Sequence, residues 1–156
     1  MNKIQKDFKV DWVLINKLSI GKAPLSKYHL NVLREEGVSS ILSLCSEDEV
    51  KLPSDLGLFF NHKRYVLPDH KTGRPPTLNE IDSTLVILSE LMKSDKPVFI
   101  HCVASVERSP LICMAWLITI HKMNIIDSLE YLMRVHKETN PLPEQIKVLN
   151  KLSQLD

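Results

Sequence analysis

An apolar tripeptide, Val98-Phe99-Ile100, runs into His101-Cys102-Val103-Ala104-Ser105-Val106-Glu107-Arg108-Ser109-Pro110 and out into a second apolar run, Leu111 to Ile120. This order constrains the fold more than any other stretch of the chain. The apolar residues after Pro97 predict a buried strand over Pro97 to His101. Ser109-Pro110 predicts a helix start, because proline is tolerated only in the first turn of a helix. The run behind it falls short of the roughly 18–20 apolar residues of a membrane span, so it reads as a buried helix. A strand that passes through a tight loop into a helix is a unit of α/β folds. In such sheets ligands sit beyond the carboxyl ends of the strands, where Cys102 falls.

The remaining pattern agrees. Trp12 to Ile15 and Leu18 to Ile20 read as short strands joined by a hairpin at Asn16-Lys17. Ser26 is suited to cap a helix that ends at Gly37. Ser40 to Leu44 reads as a strand, Ser46 to Leu56 as a short helix and a turn, and Phe59 to Val66 as another strand. Pro68 to Pro76 is the most loop-like stretch. Thr77 with Glu80 makes a capping box, followed by Leu78, Ile81, Leu85, Leu88 and Met92 at helical spacing. Three helices close the chain: Ser109 to Met123, Ile125 to His136 and Pro143 to Leu155, punctuated by Asn124 and Pro141. Cys113 and the stripes Leu129, Leu132, Val135 and Ile146, Leu149, Leu152 read as core. The expectation is one α/β domain over residues 1–156. It has a largely parallel central sheet of about four to five strands flanked by helices, with a phosphate-binding loop between a central strand and a helix.

Composition narrows the function. With 20 basic and 19 acidic residues the net charge is +1, which gives no reason to expect nucleic acid or an anionic membrane as partner. The first residues lack the apolar core of a signal peptide. Three cysteines, Cys45, Cys102 and Cys113, cannot build a disulfide framework. A soluble, monomeric protein of a reducing cytosol is expected. His29, His62, His121 and His136 show no metal-ligand spacing, and no metal or cofactor is expected.

The loop itself carries chemistry. The first amides of the following helix lack intrahelical partners, and its dipole is positive there. A loop wrapped before it makes a concave anion site. The same field favours the thiolate of Cys102. Arg108 adds a planar fork for two phosphate oxygens, and Ser109 brings a hydroxyl near the sulfur. A leaving alcohol then needs a proton. Asp69, 33 residues before Cys102 in the Pro/Gly-rich loop, is the favoured donor; His70, Asp55 and Asp82 are its rivals, and a turn-stabilising role is the plain alternative for Asp69.

His101-Cys102, Arg108 and Ser109-Pro110 together resemble the signature of the cysteine-based protein tyrosine phosphatases. The chain length and a signature two-thirds along the chain resemble the dual-specificity branch; the low-molecular-weight branch has its signature near the N-terminus. Ile20-Gly21 to Pro24, Leu44-Cys45, the Asp69 loop and Asn140-Pro141 to Gln145 also look like family landmarks. The resemblance implies that Cys102 is a nucleophile forming a phosphocysteine and that Arg108 binds the phosphoryl group. It implies that Ser109 stabilises the departing thiolate, that His101 orients the loop, and that the backbone of Val103, Ala104, Ser105, Val106, Glu107 and Arg108 cradles the oxygens. Asp69 resembles the family's general acid. The implied substrate is a phosphorylated protein or peptide, bearing phosphotyrosine and also phosphoserine or phosphothreonine.

Two positions depart from the family. Glycine is usual where this chain has Ser105, which implies an unusual backbone angle there. Glu107 puts a carboxylate beside the anion site and is expected to point away and pair with a basic neighbour. Only Arg108 is basic between His101 and Pro110, which tilts the substrate away from polyphosphorylated inositides and RNA triphosphates. Lys63, Arg64, Lys71 and Arg74 near the acid loop either draw in an anion or form a solvated rim. Leu44-Cys45-Ser46-Glu47 resembles members related to the lipid-phosphatase branch, in which a cysteine there pairs reversibly with the nucleophile. The plain reading of Cys45 is a buried unreactive thiol. A phosphatase-like module that binds phosphorylated partners with little turnover is the competing function. A rhodanese-like or arsenate-reducing enzyme is a third, disfavoured by Ser109-Pro110 and the Asp69 loop.

Overall fold

The computed structural model of the protein describes residues 7–153. In chain order the elements are β1 (Asp11–Leu14), β2 (Leu18–Gly21), α1 (Lys27–Glu35), β3 (Ser40–Ser43), α2 (Leu56–Phe59), β4 (Asn61–Arg64), α3 (Leu78–Met92), β5 (Val98–His101), α4 (Arg108–His121), α5 (Ile125–Val135) and α6 (Pro143–Ser153). The five strands form one sheet in the order β1-β2-β5-β3-β4. The β1–β2 hairpin is antiparallel and every other pairing is parallel. The fold is thus a single α/β domain with β5 at the centre. The reading of the final helix to Leu155, and that of the first residues as no signal peptide, lie outside the described residues.

Local chemistry accounts for the boundaries. Ser26 caps α1 through its hydroxyl, which accepts from the His29 amide at 3.2 Å. Gly37 takes φ +84° after that helix, a conformation that costs glycine nothing. Thr77 and Glu80 complete their capping box at 3.1 and 2.9 Å, and Asn124 caps α5 through the Asp127 amide. The expected helix within Ser46–Leu56 is absent. A turn closes there from the Glu49 amide to the Ser46 carbonyl, the Glu49 carboxylate accepts from the Ser46 amide at 2.7 Å, and helix begins only at Leu56, behind Pro53. The Pro68–Pro76 loop holds one 3-10 turn, His70–Thr72, closed by Gly73 at φ +81°.

Period-two alternation divides the core between the two sheet faces. Leu18, Ile20, Leu42, Val98 and Ile100 pack with Ile81, Leu88, Leu111, Met114, Leu132 and Leu149 of α3 to α6. Ile41 and Phe99 face the other way, onto Phe8, Leu30, Leu33, Leu56 and Phe60. The helix α4 is buried along nearly its whole length, from Arg108 to Ile118. Buried on both sides, β5 and α4 hold the loop between them in place. Among the described residues no helix is long and apolar enough to cross a membrane.

Gly21 ends β2 beside His101. A Cβ there would lie 2.7 Å from the Lys9 carbonyl and 3.0 Å from the Phe99 ring. Gly21→Ala is therefore expected to cost about 1–3 kcal/mol through overpacking, read as a lowered urea midpoint. An unchanged midpoint would show that the β2 exit yields freely.

Candidate active site

The loop from Cys102 to Glu107 is shaped from outside. Its carbonyls are taken by neighbouring segments: Val103 O accepts from the Ala23 amide at 3.2 Å and Val106 O from the Asn140 amide at 2.9 Å. Ser105 O accepts from His136 Nε2 at 2.7 Å. A trans peptide points its N–H opposite to its C=O. The amides of Ala104, Val106 and Glu107 consequently point away from those segments, and all three residues line the cavity. Ser105 sits at φ +62°. A left-handed serine costs roughly 1–2 kcal/mol where glycine would not. The expected unusual angle is present, and the serine hydroxyl is bonded to Ser109 Oγ and His136 Nε2, each at 3.1 Å.

Cys102 is almost fully buried, and its sulfur lies 3.2 Å from Ser109 Oγ. Arg108 is only 4% exposed. A buried guanidinium must be paired, and its chief partner is one that sequence reasoning missed. Glu49, in the turn after β3, accepts from Nη2 at 2.7 Å and Nη1 at 3.1 Å. Nη1 also donates to Leu67 O at 3.2 Å and Leu44 O at 3.4 Å. Burial opposes the charge of Arg108, but hydrogen-bonded Glu49 together with Cys102 and Asp69 outweighs it, and the guanidinium is held above its ordinary pKa. Burial pushes Glu49 up, but the bonds from Arg108 and from Ser46 together overcome it and hold the carboxyl below its usual range. These acceptors use the Nη1/Nη2 side of the fork. The Nε/Nη2 edge remains for two oxygens of a phosphate. The signal that would have found Glu49 is a carboxylate just beyond the strand beside β5.

His101 is held from both ring nitrogens. Register sets Ser43 of β3 beside it. Nδ1 lies 2.7 Å from the Cys102 carbonyl, which can only accept, so Nδ1 carries the hydrogen. Nε2 then accepts from Ser43 Oγ at 2.6 Å, and Ser43 Oγ accepts from His62 Nε2 at 2.8 Å. Burial pushes His101 down to about 4, with the charges of nearby His62, Arg64 and Arg108 adding to it. His101 thus stands neutral and fixes the carbonyl at the head of the loop.

The loop that carries Asp69 forms part of the cavity wall. Asp69 and His70 line the same space of about 420 Å³ as Cys102, Arg108, Glu49 and Glu107. His70 Nδ1 sits 2.8 Å from Asp69 Oδ1 and 2.8 Å from Glu107 Oε2. Glu107 does pair with a basic neighbour, as expected, but it does so at the cavity wall rather than by pointing away. Its partner is the residue next to Asp69, so the pair ties the acid loop to the anion loop. Of the four bases around this loop, Arg64 pairs with Glu47 and Arg74 with Glu80. Lys71 lines the cavity. Asp55 flanks α2 and Asp82 lies within α3, and neither lines this cavity.

Cys45 and Cys113 are fully buried. Burial raises the Cys45 thiol to about 11, opposed by Arg108 and reinforced by Cys102, which makes it a poor nucleophile at neutral pH. Burial raises Cys113 as well. His136, which showed no ligand spacing in the sequence, sits with Asp11 and Glu138 so that their ligand atoms lie within 4.8 Å of one another, as do those of Asp69, His70 and Glu107. In the first group Lys9 pairs with Glu138 at 3.1 Å and Asp11 at 3.9 Å and so offsets the carboxylates.

Solved structures share this arrangement of sheet and loop-bearing helix. The active form of Tk-PTP superimposes with a TM-score of 0.81 at 18% identity, covering 93% of this chain and 96% of that one. PTPMT1 in complex with PI(5)P gives 0.78 at 18% identity, covering 90% and 92%. The human tyrosine phosphatase-like serine/threonine/tyrosine-interacting protein gives 0.78 at 17%, covering 94% and 96%. At these identities the likeness is one of fold. In sequence, the phosphatidylglycerophosphate phosphatase PTPMT2 of Arabidopsis thaliana is 24% identical over 154 residues, which is 98% of this chain and 67% of that protein. The family described as dual specificity phosphatase, catalytic domain, matches residues 26–154. The chain belongs to that family.

The state of His101 sets a stability profile. Unfolded, it takes a proton near its ordinary 6.5; folded, it refuses one until about 4. Stability is therefore full above pH 6.5 and falls as the pH drops toward 4, by roughly 3 kcal/mol across the window. Urea unfolding at a series of pH values reads this slope, and His101→Asn is expected to shrink it. A flat wild-type profile between pH 7 and 4.5 would contradict it.

Proposed function

We propose that the protein hydrolyses phosphomonoesters through a phosphocysteine on Cys102, with phosphotyrosine in a protein or peptide as its main substrate and phosphoserine or phosphothreonine admitted by the shallow pocket. The observation that carries this reading is the convergence of Cys102, Arg108 and Asp69 on one cavity, with the Ser109 hydroxyl 3.2 Å from the sulfur. The Nε/Nη2 edge of Arg108 and the loop amides hold the phosphoryl oxygens, where charge builds in the transition state. Cys102 Sγ attacks phosphorus as the ester P–O bond breaks, and Asp69 gives its proton to the leaving oxygen. Water then attacks phosphorus, the S–P bond breaks, and the Asp69 carboxylate takes the proton from that water. The departing thiolate is received by Ser109. His70 holds Asp69 in place and remains its rival as donor.

Substrate choice follows from the lining. Val103, Ala104 and Val106 give an apolar wall, and Glu49, Asp69 and Glu107 supply three carboxylates against Arg108, Lys71 and His70. This balance suits one phosphate beside an uncharged group and opposes a polyanion. A lipid phosphate is the second reading, favoured by likeness to a phosphatidylglycerophosphate phosphatase and to PTPMT1 bound to PI(5)P. The three free thiols support work in a reducing cytosol.

Cys102→Ser is expected to abolish turnover of an aryl phosphate. Asp69→Asn should slow a poor leaving group about 100-fold or more and an activated aryl phosphate far less, since only the former needs the proton. Equal losses on both would remove Asp69 from the role. Phosphotyrosine peptide should exceed phosphatidylglycerophosphate and PI(5)P vesicles in kcat/KM; the reverse order would establish the lipid reading. No turnover of any of them, with phosphopeptide binding intact, would make the protein a binding module.

A further inference from the structure

Ser105, a departure from the family, is the middle link of a buried chain of hydrogen bonds that reaches the nucleophile. His136 Nε2 lies 3.1 Å from Ser105 Oγ, Ser105 Oγ lies 3.1 Å from Ser109 Oγ, and Ser109 Oγ lies 3.2 Å from Cys102 Sγ. Both serines are wholly buried and His136 is 2% exposed. Behind His136, Nδ1 meets Asp11 Oδ2 at 2.7 Å. We infer that His136, backed by Asp11, is a positioning residue that acts through Ser105 to aim and polarise the Ser109 hydroxyl at Cys102. The inference rests on Cys102 being the nucleophile, but it does not depend on which phosphate the protein takes.

Counting hydrogens gives the chain a direction. The Ser105 carbonyl, 2.7 Å from Nε2, and the Asp11 carboxylate can only accept. Each ring nitrogen of His136 therefore faces an acceptor, Nε2 the Ser105 carbonyl and Nδ1 the Asp11 carboxylate. Glu138 lies 3.4 Å from Nδ1 beside Asp11. The Nε2 hydrogen is shared between the Ser105 carbonyl and hydroxyl oxygens. With its oxygen accepting from His136, Ser105 has one hydrogen to give, and Ser109 is its recipient. Ser109 in turn gives its one hydrogen to the sulfur. Every donor thus points from His136 toward Cys102, an order that favours the thiolate. Without Ser105 the Ser109 hydroxyl keeps its place but loses the donor that fixes its direction.

Other charges share the neighbourhood. Around Cys102 stand cationic Arg108, the carboxylates Glu49, Asp69 and Glu107, His70 and Lys71, neutral His101 and the Cys45 thiol. Around His136 stand Asp11 and Glu138, both paired with Lys9. Arg108 remains the dominant cation at the sulfur, so the chain's contribution is moderate.

The test uses Ser105→Gly, His136→Gln and their double variant. Glycine at φ +62° relieves backbone strain, so Ser105→Gly folds even if the buried His136→Gln does not. The readout is the rate of Cys102 alkylation by iodoacetamide against pH, located by peptide mass, beside kcat and KM on an aryl phosphate. Each single variant should move the alkylation profile to higher pH and slow alkylation about 3- to 10-fold at pH 6, the equivalent of roughly half to one pH unit. The double variant should be no slower than the worse single, as links of one chain require. Lower kcat with little change in KM should accompany the shift. Folded variants with an unmoved profile, or single effects that multiply in the double variant, would overturn the relay. Wild type that turns over phosphate while Ser105→Gly leaves the profile unmoved removes the relay alone. Wild type that turns over nothing, with the profile moved in Ser105→Gly, supports the relay and removes the catalytic reading.

Discussion

The guanidinium of Arg108 is the constraint around which this end of the molecule is built. It is 4% exposed and charged, and a charge that deep has to be answered from several directions. The answers come from the Leu44 and Leu67 carbonyls, just past β3 and β4, and from both oxygens of Glu49. One side chain from the start of α4 therefore ties together the carboxyl ends of two strands that pair with each other. The turn at Ser46–Glu49 exists to deliver Glu49, whose second function is to accept from the Ser46 amide. Loss of the guanidinium would leave a partly buried carboxylate without its counter-charge and the Leu67 carbonyl without this donor, while the Leu44 carbonyl would keep the Leu67 amide at 3.0 Å.

The loop itself is held through its carbonyls. Ala23, after β2, and Asn140 and His136, both in the connection between α5 and α6, each bind one. Neutral His101 takes the carbonyl of Cys102 and passes the chain of bonds on to Ser43 and His62. The loop that lines the cavity is thus fixed by bonds to its surroundings, and fixed dipoles are most effective where they need no reorganisation. Ser105 belongs to the same economy of bonds: a strained serine is tolerated because its hydroxyl lies between two buried partners.

What could be read from the residues was local. The strand, loop and helix around Cys102 followed from an apolar run, a Ser-Pro start and a second apolar run. The capping box at Thr77 and Glu80, the cap at Ser26 and the left-handed Gly37 followed from side-chain chemistry within a few residues. The Asp69 loop was legible from its prolines and glycine, and Asp69 does face the cavity of Cys102. The partners that act across the fold were not legible. Glu49 meets Arg108 across 59 positions, and His136 meets Asp11 across 125. Nothing in helical or strand periodicity encodes such pairs. The helix expected within Ser46–Leu56 failed for the same reason, since Glu49 answers to Arg108 rather than to a local helix.

The central claim is that Cys102 carries the phosphoryl group during turnover. Rapid mixing with an aryl phosphate, quenched into alkaline denaturant and followed by mass analysis of the Cys102 peptide, tests it most directly. A phosphoryl group on Cys102 is expected to form within the first turnover and to decay at a rate no slower than kcat. Steady hydrolysis with Cys102 never phosphorylated would contradict it.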